Sequence, residues 1–397
     1  MATRAEAGWA GSLSIRSSLV TYSTDTLATR SRHVSARIDP ILLVTTGVLA
    51  LTGIVMIYSA TKGKLALAGE DPRYYVKRQL TFFVLSLLIL VVVSLFDYRR
   101  WEHLATILYV GIVLALLAVL SPIGSHALGA QRWFSLGPLQ IQPSQFATLV
   151  LIIAISTYCA RRPEGLDFRD LVRMVLMAGL PVLLIIKQPD LGTAIVCSII
   201  LLVLLSVAGM PVRYLVLLGI GAILLFVIAF NLGLVKQYQI QRLTSFISPN
   251  SASVNVTYNV NQAKTAIAHG GIFGQGLFKG AQTNLAYVPE QQTDFIFSAV
   301  GEQLGFVGAG ALLVLYGILA WRILRVALMA KDSFGRLLCS GVFAMLMFSV
   351  FENVGMNMGI MPVAGIPLPF LSYGGSAMIG FMASIGIVTS VHYRSTR

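Results

Sequence analysis

The chain is poor in charge: of its 397 residues only 11% are Asp, Glu, Lys or Arg, against about 25% in ordinary soluble domains. That composition argues against a water-soluble globular enzyme. Cysteine is scarce as well, with Cys159, Cys197 and Cys339 each in or at the edge of an apolar run, so no disulfide framework is expected. The five histidines are scattered without the spacing of a zinc site. No GxxxxGK[ST] phosphate loop occurs, which argues against an ATP-driven pump. What remains is 56% hydrophobic with a net charge of +13 and a mean hydropathy of +0.79. A positive excess suits nucleic acid, but here the basic residues form short clusters between long apolar runs. That is the pattern of a polytopic membrane protein, in which flanking charges set orientation, and no nucleic-acid partner is expected.

A helix needs roughly 20 apolar residues to cross the hydrocarbon core. Ten runs satisfy this, near 40–60, 79–96, 104–122, 144–160, 171–187, 190–209, 214–233, 303–323, 335–356 and 373–393. The expected fold is therefore an all-α polytopic membrane protein with about ten transmembrane helices. Its one large external loop, 234–293, falls between spans seven and eight. Arg173, near the start of the fifth span, can snorkel to the interface. Residues 1–38 are polar, carry Arg30, Arg32 and Arg37 just before the first span, and lack the pattern of a signal peptide. They are expected to be a disordered tail, followed by a transmembrane domain over 39–393 and a short tail at 394–397. With ten spans both termini share a side, and that side holds the larger share of the 29 Lys and Arg residues. It is assigned to the cytoplasm, although the external loop 61–78 is itself basic.

The cytoplasmic loops are too short to house a nucleotide-binding domain, so the polar chemistry collects outside. Within the large loop, Val260, Ala263 and Ile267 make a weak apolar stripe suited to the membrane surface. Gly270, Gly271, Gly274 and Gly276 can either cradle phosphate through backbone N–H groups or form tight turns. The sharpest cluster runs Val288-Pro289-Glu290-Gln291-Gln292-Thr293-Asp294-Phe295-Ile296-Phe297, with Glu302 beyond it. Carboxylates at a membrane boundary are costly to dehydrate and point to function. The alternative for Asp294 and Asp190 is a helix N-cap, and for Glu290 a solvated loop charge. Arg132-Trp133 suits an interfacial anchor. Glu352, inside the ninth span, suits a hydrogen bond within the bundle, and Pro367 to Ser376 a re-entrant turn leading into the last span.

Taken together, Gly129-Ala130-Gln131-Arg132-Trp133, Gln142-Pro143-Ser144, Lys187-Gln188-Pro189-Asp190-Leu191-Gly192-Thr193, the Glu290 to Phe297 run and Gly365-Ile366-Pro367-Leu368-Pro369-Phe370-Leu371-Ser372-Tyr373-Gly374-Gly375-Ser376 resemble the SEDS family (shape, elongation, division and sporulation). The resemblance spans about residues 38 to 393. Met361-Pro362-Val363 before Gly365 is more similar to the elongation branch than to the division branch. The resemblance implies a ten-helix peptidoglycan glycosyltransferase that polymerises lipid II at the outer face of the bacterial cytoplasmic membrane. It also implies a class B penicillin-binding protein as partner, within an elongation or division complex.

Asp294 matches the family's essential aspartate and becomes the expected general base for the attacking sugar hydroxyl. Burial and Glu290 would raise its pKa, and a helix N-terminus would lower it. The departing pyrophosphate requires cations, for which Arg132, Lys187, Arg242, Lys264 and Lys279 are available outside. The substrate-binding candidates are Arg132, Trp133, Lys187, Asp190, Lys279, Glu290, Thr293 and Ser372. No cofactor and no metal ligand set is identified, although a divalent cation can share the pyrophosphate's charge. The chain departs from the family where an acidic residue and a lysine usually follow Gln142-Pro143-Ser144, having Gln145 and Thr148 instead. Gln292 and Ala377 are milder departures. Two other readings stand beside the polymerase: a lipid II flippase, whose essential charges would sit near the midplane, and a non-catalytic scaffold for the transpeptidase.

Overall fold

Asp39 starts the first helix, accepting hydrogen bonds from the N–H groups of Ile41 and Leu42 at 3.1 and 3.2 Å, with Pro40 preset for the first helical position. The computed structural model describes residues 39–395 except 123, 128–129, 137–138, 163–164, 232–238, 243–245 and 247–253. The expected disordered tail 1–38, Gly129 and residues 396–397 lie outside the described residues. The helices are α1 (Pro40–Leu67), α2 (Tyr74–Leu95), α3 (Tyr98–Leu120), α4 (Pro143–Ala160), α5 (Phe168–Lys187), α6 (Leu191–Val207), α7 (Val212–Asn231), α8 (Val254–Gly270), the single turn α9 (Ala281–Asn284), α10 (Ile296–Met329), α11 (Ser333–Met358) and α12 (Gly375–Ser395). Each of the ten expected spans coincides with one of them. Seven are long and apolar enough to cross a membrane by length and composition, and α6 and the first part of α7 are shorter apolar helices. The chain is a multi-pass membrane protein.

Burial ranks the helices. In α12 89% of the apolar window is buried and in α11 72%, against 17% in α3 and 22% in α2. The central helix α12 carries small residues where neighbours approach: a side chain on Gly386 would lie 2.9 Å from Leu90 O of α2. Close backbone approach at small residues is how helices associate where water supplies no driving force. At the end where α1 begins and α12 finishes, Asp39 also forms an ion pair with Arg322 of α10, which ties α1 to α10. Asp332 caps α11 through Gly335 N at 2.7 Å and accepts from Tyr98 Oη at 2.7 Å.

The opposite end is built less simply than the span pattern predicts. Between α3 and α4 the chain forms a three-stranded antiparallel sheet, β1 (Ser125–Ala127), β2 (Ala130–Leu136) and β3 (Leu139–Ile141). Ser125 pairs with Trp133, and Phe134 with Ile141. Helix α8 turns its stripe inward rather than onto the membrane surface, burying Ala263 and Ala266 with Val288 and Phe295. Helix α10 begins at Ile296, ahead of the expected 303, and bends at Gly305 (φ 67, ψ −165). The glycine-rich segment packs on that bend: Gln275 N donates to Glu302 O and Gly276 N to Gln303 O, both at 3.0 Å, and Phe306 N donates to Gly271 O at 2.9 Å. These donors are consumed within the chain, so the segment is a set of turns and not a phosphate cradle.

After α11 ends on left-handed Gly359, residues 360–374 re-enter the bundle and bury Leu368, Phe370 and Leu371. Tyr316 Oη of α10 donates to Pro369 O. The re-entrant backbone lies so close to α1 that a Cβ on Gly53 would sit 2.6 Å from Phe370 O and 2.7 Å from Leu371 Cα. Gly53→Ala is therefore expected to destabilise the protein by about 1–3 kcal/mol. Gly47→Ala, with open space around it, should be neutral. Thermal unfolding in detergent separates the two.

Candidate active site

The re-entrant segment, the sheet and the loops before α6 and α10 meet the start of α2 around a cavity of about 410 Å³ at this end of the bundle. Its wall includes Tyr74, Tyr75, Arg78, Arg132, Trp133, Asp190, Glu290, Thr293, Asp294, Gly365 and Tyr373. Six of the nine residues singled out from the sequence thus share one cavity.

Asp294 sits at the end of a tight turn. Glu290 O accepts from Thr293 N at 3.1 Å and Asp294 N at 3.2 Å, with Glu290 itself at φ 49. The cap position of α10 falls to Phe295, which makes no side-chain cap bond, so the carboxylate of Asp294 is not spent as a helix cap. Its backbone is held instead: Asn353 Nδ2 and Asn357 Nδ2 of α11 donate to Asp294 O at 2.9 and 3.1 Å. Among the described residues the carboxylate accepts no hydrogen bond. It faces Gly365, where a Cβ would lie 3.4 Å from Asp294 Oδ2 and 3.9 Å from Arg242 Nη1. Burial pushes the Asp294 pKa up, Arg132 and Arg242 pull it back, and Glu290 and Asp190 add to the rise; the net displacement is upward. Loss of hydration therefore outweighs the two cations.

Arg132 stacks on its neighbour, with Cζ 4.5 Å from the centroid of the Trp133 ring. Its Nε is buried and has no partner among the described residues. Asp190 lines the cavity but is a capping post, accepting from Thr193 N (3.2 Å), Thr193 Oγ1 (2.9 Å), Ser144 Oγ (2.7 Å) and Gln142 Nε2 (2.9 Å). Glu290 lies 4.0 Å from Lys64 of α1 and accepts from Gln292 Nε2 at 3.1 Å.

The remaining candidates lie elsewhere. Ser372 is outside the lining; its hydroxyl donates to Thr293 O and accepts from Leu368 N at 2.9 Å, joining the re-entrant segment to the Asp294 turn. Lys187 and Lys279 are exposed and do not line the cavity. At the α5 terminus it is the adjacent Gln188 that turns inward, donating to Leu116 O at 2.9 Å. Lys264 is exposed on α8. Glu302 is wholly buried and pins α9, accepting from Gln282 N at 2.7 Å and Thr283 N at 3.0 Å. Among the described residues no group of three or more His, Cys, Asp or Glu side chains is placed to hold a metal ion.

Sequence reasoning missed Tyr74, Tyr75 and Arg78, because the second span was started after them, and Tyr373, whose ring meets Tyr75 edge-on at 4.9 Å. It also missed Asn353 and Asn357. Their signal was two amides four residues apart inside an apolar helix, where unsatisfied polar groups are costly.

The departure at Gln145 and Thr148 has a definite setting. Gln145 lines the cavity, and Thr148 Oγ1 returns to Gln145 O at 2.8 Å with the residue only 6% exposed. Thr148→Lys alone would leave a buried unpaired charge and is expected to cost about 3–5 kcal/mol. Adding Gln145→Glu should restore most of that in the same unfolding assay.

Comparison with known proteins places this arrangement. The chain matches the family described as cell cycle protein, FtsW/RodA/SpoVE, over residues 40–397. It is 35% identical to the probable peptidoglycan glycosyltransferase FtsW of Geobacter sp. (strain M18), covering 90% of this chain and 97% of that one. Identity is also 35% to the peptidoglycan glycosyltransferase MrdB of Escherichia coli K12, over 89% and 93% of the two chains. Overall identity thus does not separate these two relatives. A chain from a structure reported as the structural coordination of polymerization and crosslinking by a peptidoglycan synthase complex superposes with a TM-score of 0.75 at 33% identity, over 89% and 97% of the two chains. The protein that presents Asp294 uncapped to a cavity at one end of a helical bundle is a member of the FtsW/RodA/SpoVE family.

Proposed function

We propose that this protein is a peptidoglycan glycosyltransferase that polymerises lipid II, with Asp294 as the general base. The observation that carries the reading is the Asp294 carboxylate, uncapped, raised in pKa and placed in one cavity with Arg132. A sugar hydroxyl is a poor nucleophile at neutral pH. Asp294 takes the proton of the acceptor GlcNAc 4-OH as its oxygen bonds to the anomeric carbon of MurNAc in the growing strand. The bond from that carbon to undecaprenyl pyrophosphate breaks, and the charge on the departing group falls to Arg132 and Arg242. The chemistry calls for no cofactor of its own; a divalent cation can share the pyrophosphate's charge with the two arginines.

The site is assigned to the outer face of the bacterial cytoplasmic membrane, with both termini in the cytoplasm, an assignment the basic-residue bias supports. The partner is a class B penicillin-binding protein in an elongation or division complex, supported by the likeness to a synthase complex that couples polymerization to crosslinking. A flippase would concentrate essential charges near the midplane, whereas here they gather at one end of the bundle. The deciding experiment is purification with the cognate transpeptidase and incubation with lipid II. Glycan strands from wild type and not from Asp294→Ala are expected. A folded wild-type complex that yields no strands but moves lipid II across vesicles would replace this reading with the flippase.

A further inference from the structure

Glu352 is a carboxylate that the proposed chemistry does not use. It sits in α11, 2% exposed, beside Asn353. Its Oε1 accepts from Ala364 N at 3.2 Å, and its Oε2 is buried without a hydrogen-bond partner among the described residues. Holding such a group inside an apolar helix is expensive, and one bond to a backbone N–H offsets little of that cost. The same residue, Ala364, offers its carbonyl to the site: Arg242 Nη1 donates to Ala364 O at 3.2 Å. The next residue, Gly365 at φ 74, has no side chain, and a Cβ there would touch both Asp294 Oδ2 at 3.4 Å and Arg242 Nη1 at 3.9 Å. Asn353 Nδ2 holds Ile366 O at 2.8 Å and Asp294 O at 2.9 Å. Consecutive residues of one helix therefore fix the segment on which Arg242 rests and the turn that carries Asp294.

We propose that Glu352 is a positioning residue that, through Ala364, holds the Arg242 guanidinium beside Asp294 and so sets the proton affinity of that carboxylate. The charged groups that act most strongly on Asp294 are Arg132, Arg242, Glu290 and Asp190, and Glu352 interacts with both Asp294 and Arg242. The sign separates positioning from simple proximity. Exchanging the Glu352 carboxyl for an amide that still accepts from Ala364 N cannot raise the titration midpoint of Asp294, whereas letting Arg242 drift away raises it.

The inference rests on the general-base reading for its consequence in turnover, so its test has a readout that does not need turnover. The carboxyl stretch of Asp294, identified by its disappearance in Asp294→Asn, is titrated by infrared difference spectroscopy in the complex with the transpeptidase. Glu352→Asp keeps the carboxyl group and withdraws its oxygen from Ala364, and it is expected to raise the midpoint by about one pH unit. Glu352→Gln keeps an acceptor for Ala364 N–H and should not raise it. In an Arg242→Ala background, which is itself raised, Glu352→Asp should add nothing. The acidic limb of polymerisation should move in the same order. A midpoint that stays or falls in Glu352→Asp, or one that rises equally without Arg242, overturns the proposal. If wild type makes no strands, the glycosyltransferase reading fails while the infrared titration still judges this one.

Discussion

Asp294→Asn protein, assembled with its transpeptidase and supplied with lipid II, is expected to polymerise about 10²–10⁴-fold more slowly than wild type. Its unfolding temperature should be unchanged or higher. The two halves of that expectation have separate physical origins. The fold grips the backbone at this point and not the carboxylate: Asn353 and Asn357 hold Asp294 O, and Ser372 holds Thr293 O. An asparagine of the same shape keeps all of those bonds and relieves the cost of holding a charge in a half-buried site. What it cannot do is accept the hydroxyl proton. Initial rates of strand synthesis and thermal unfolding, measured on one preparation, check both halves. A near-wild-type rate would remove Asp294 from the role of base.

The same carboxylate fixes the pH dependence. A base works deprotonated, so turnover is lost as pH falls through the pKa of Asp294. Because burial lifts that pKa above the usual carboxylate range, the acidic limb should begin at a higher pH than an exposed aspartate would give.

The bundle is legible because a membrane span leaves little freedom: a run of about 20 apolar residues has to be a helix when lipid satisfies no backbone group. What apolar runs do not encode is where a helix goes once it leaves the lipid. Helix α1 continues to Leu67 to meet the Glu290 turn, and α10 starts at Ile296 but bends at Gly305. Both extensions are specified by contacts far apart in sequence, such as Lys62 Nζ to Phe278 O at 3.2 Å and Ser298 N to Asn357 Oδ1 at 3.1 Å. The sheet that carries Arg132 was readable in principle, since a strand needs only a few residues of alternating character, yet three short strands between two spans give a weak signal. Asp294, Thr293 and Glu290 could be singled out because polar residues at the start of an apolar run stand apart. Lys187 and Lys279 could not be sorted from Arg132 in this way. Each successive residue on a helix turns by about 100°, so Gln188 points in and Lys187 points out although both stand at the same boundary.

That contrast sets up the second large effect. Arg132→Ala is expected to lower kcat/KM for strand synthesis by about 10²–10³-fold, while Lys187→Ala, exposed and outside the cavity, should stay within about twofold. Arg132 is the cation whose Nε is buried in the cavity wall without a partner among the described residues, a costly arrangement unless an anionic ligand completes it. Its plane is fixed by the Trp133 ring at 4.5 Å, so it is prepared for a phosphate before one arrives, and little ordering has to occur as the leaving group's charge develops. Lysine cannot reproduce a flat, stacked, multidentate donor. Arg132→Lys should therefore recover only part of the loss, and Trp133→Ala should resemble it by freeing the arginine. Removing Arg132 also removes one of the two positive charges that lower the Asp294 pKa, so the acidic limb should move to higher pH as the rate falls. An effect through the fold alone would depress the rate equally at every pH. The joint shift of rate and limb in Arg132→Ala, absent in Lys187→Ala, ties the arginine to both the departing charge and the base.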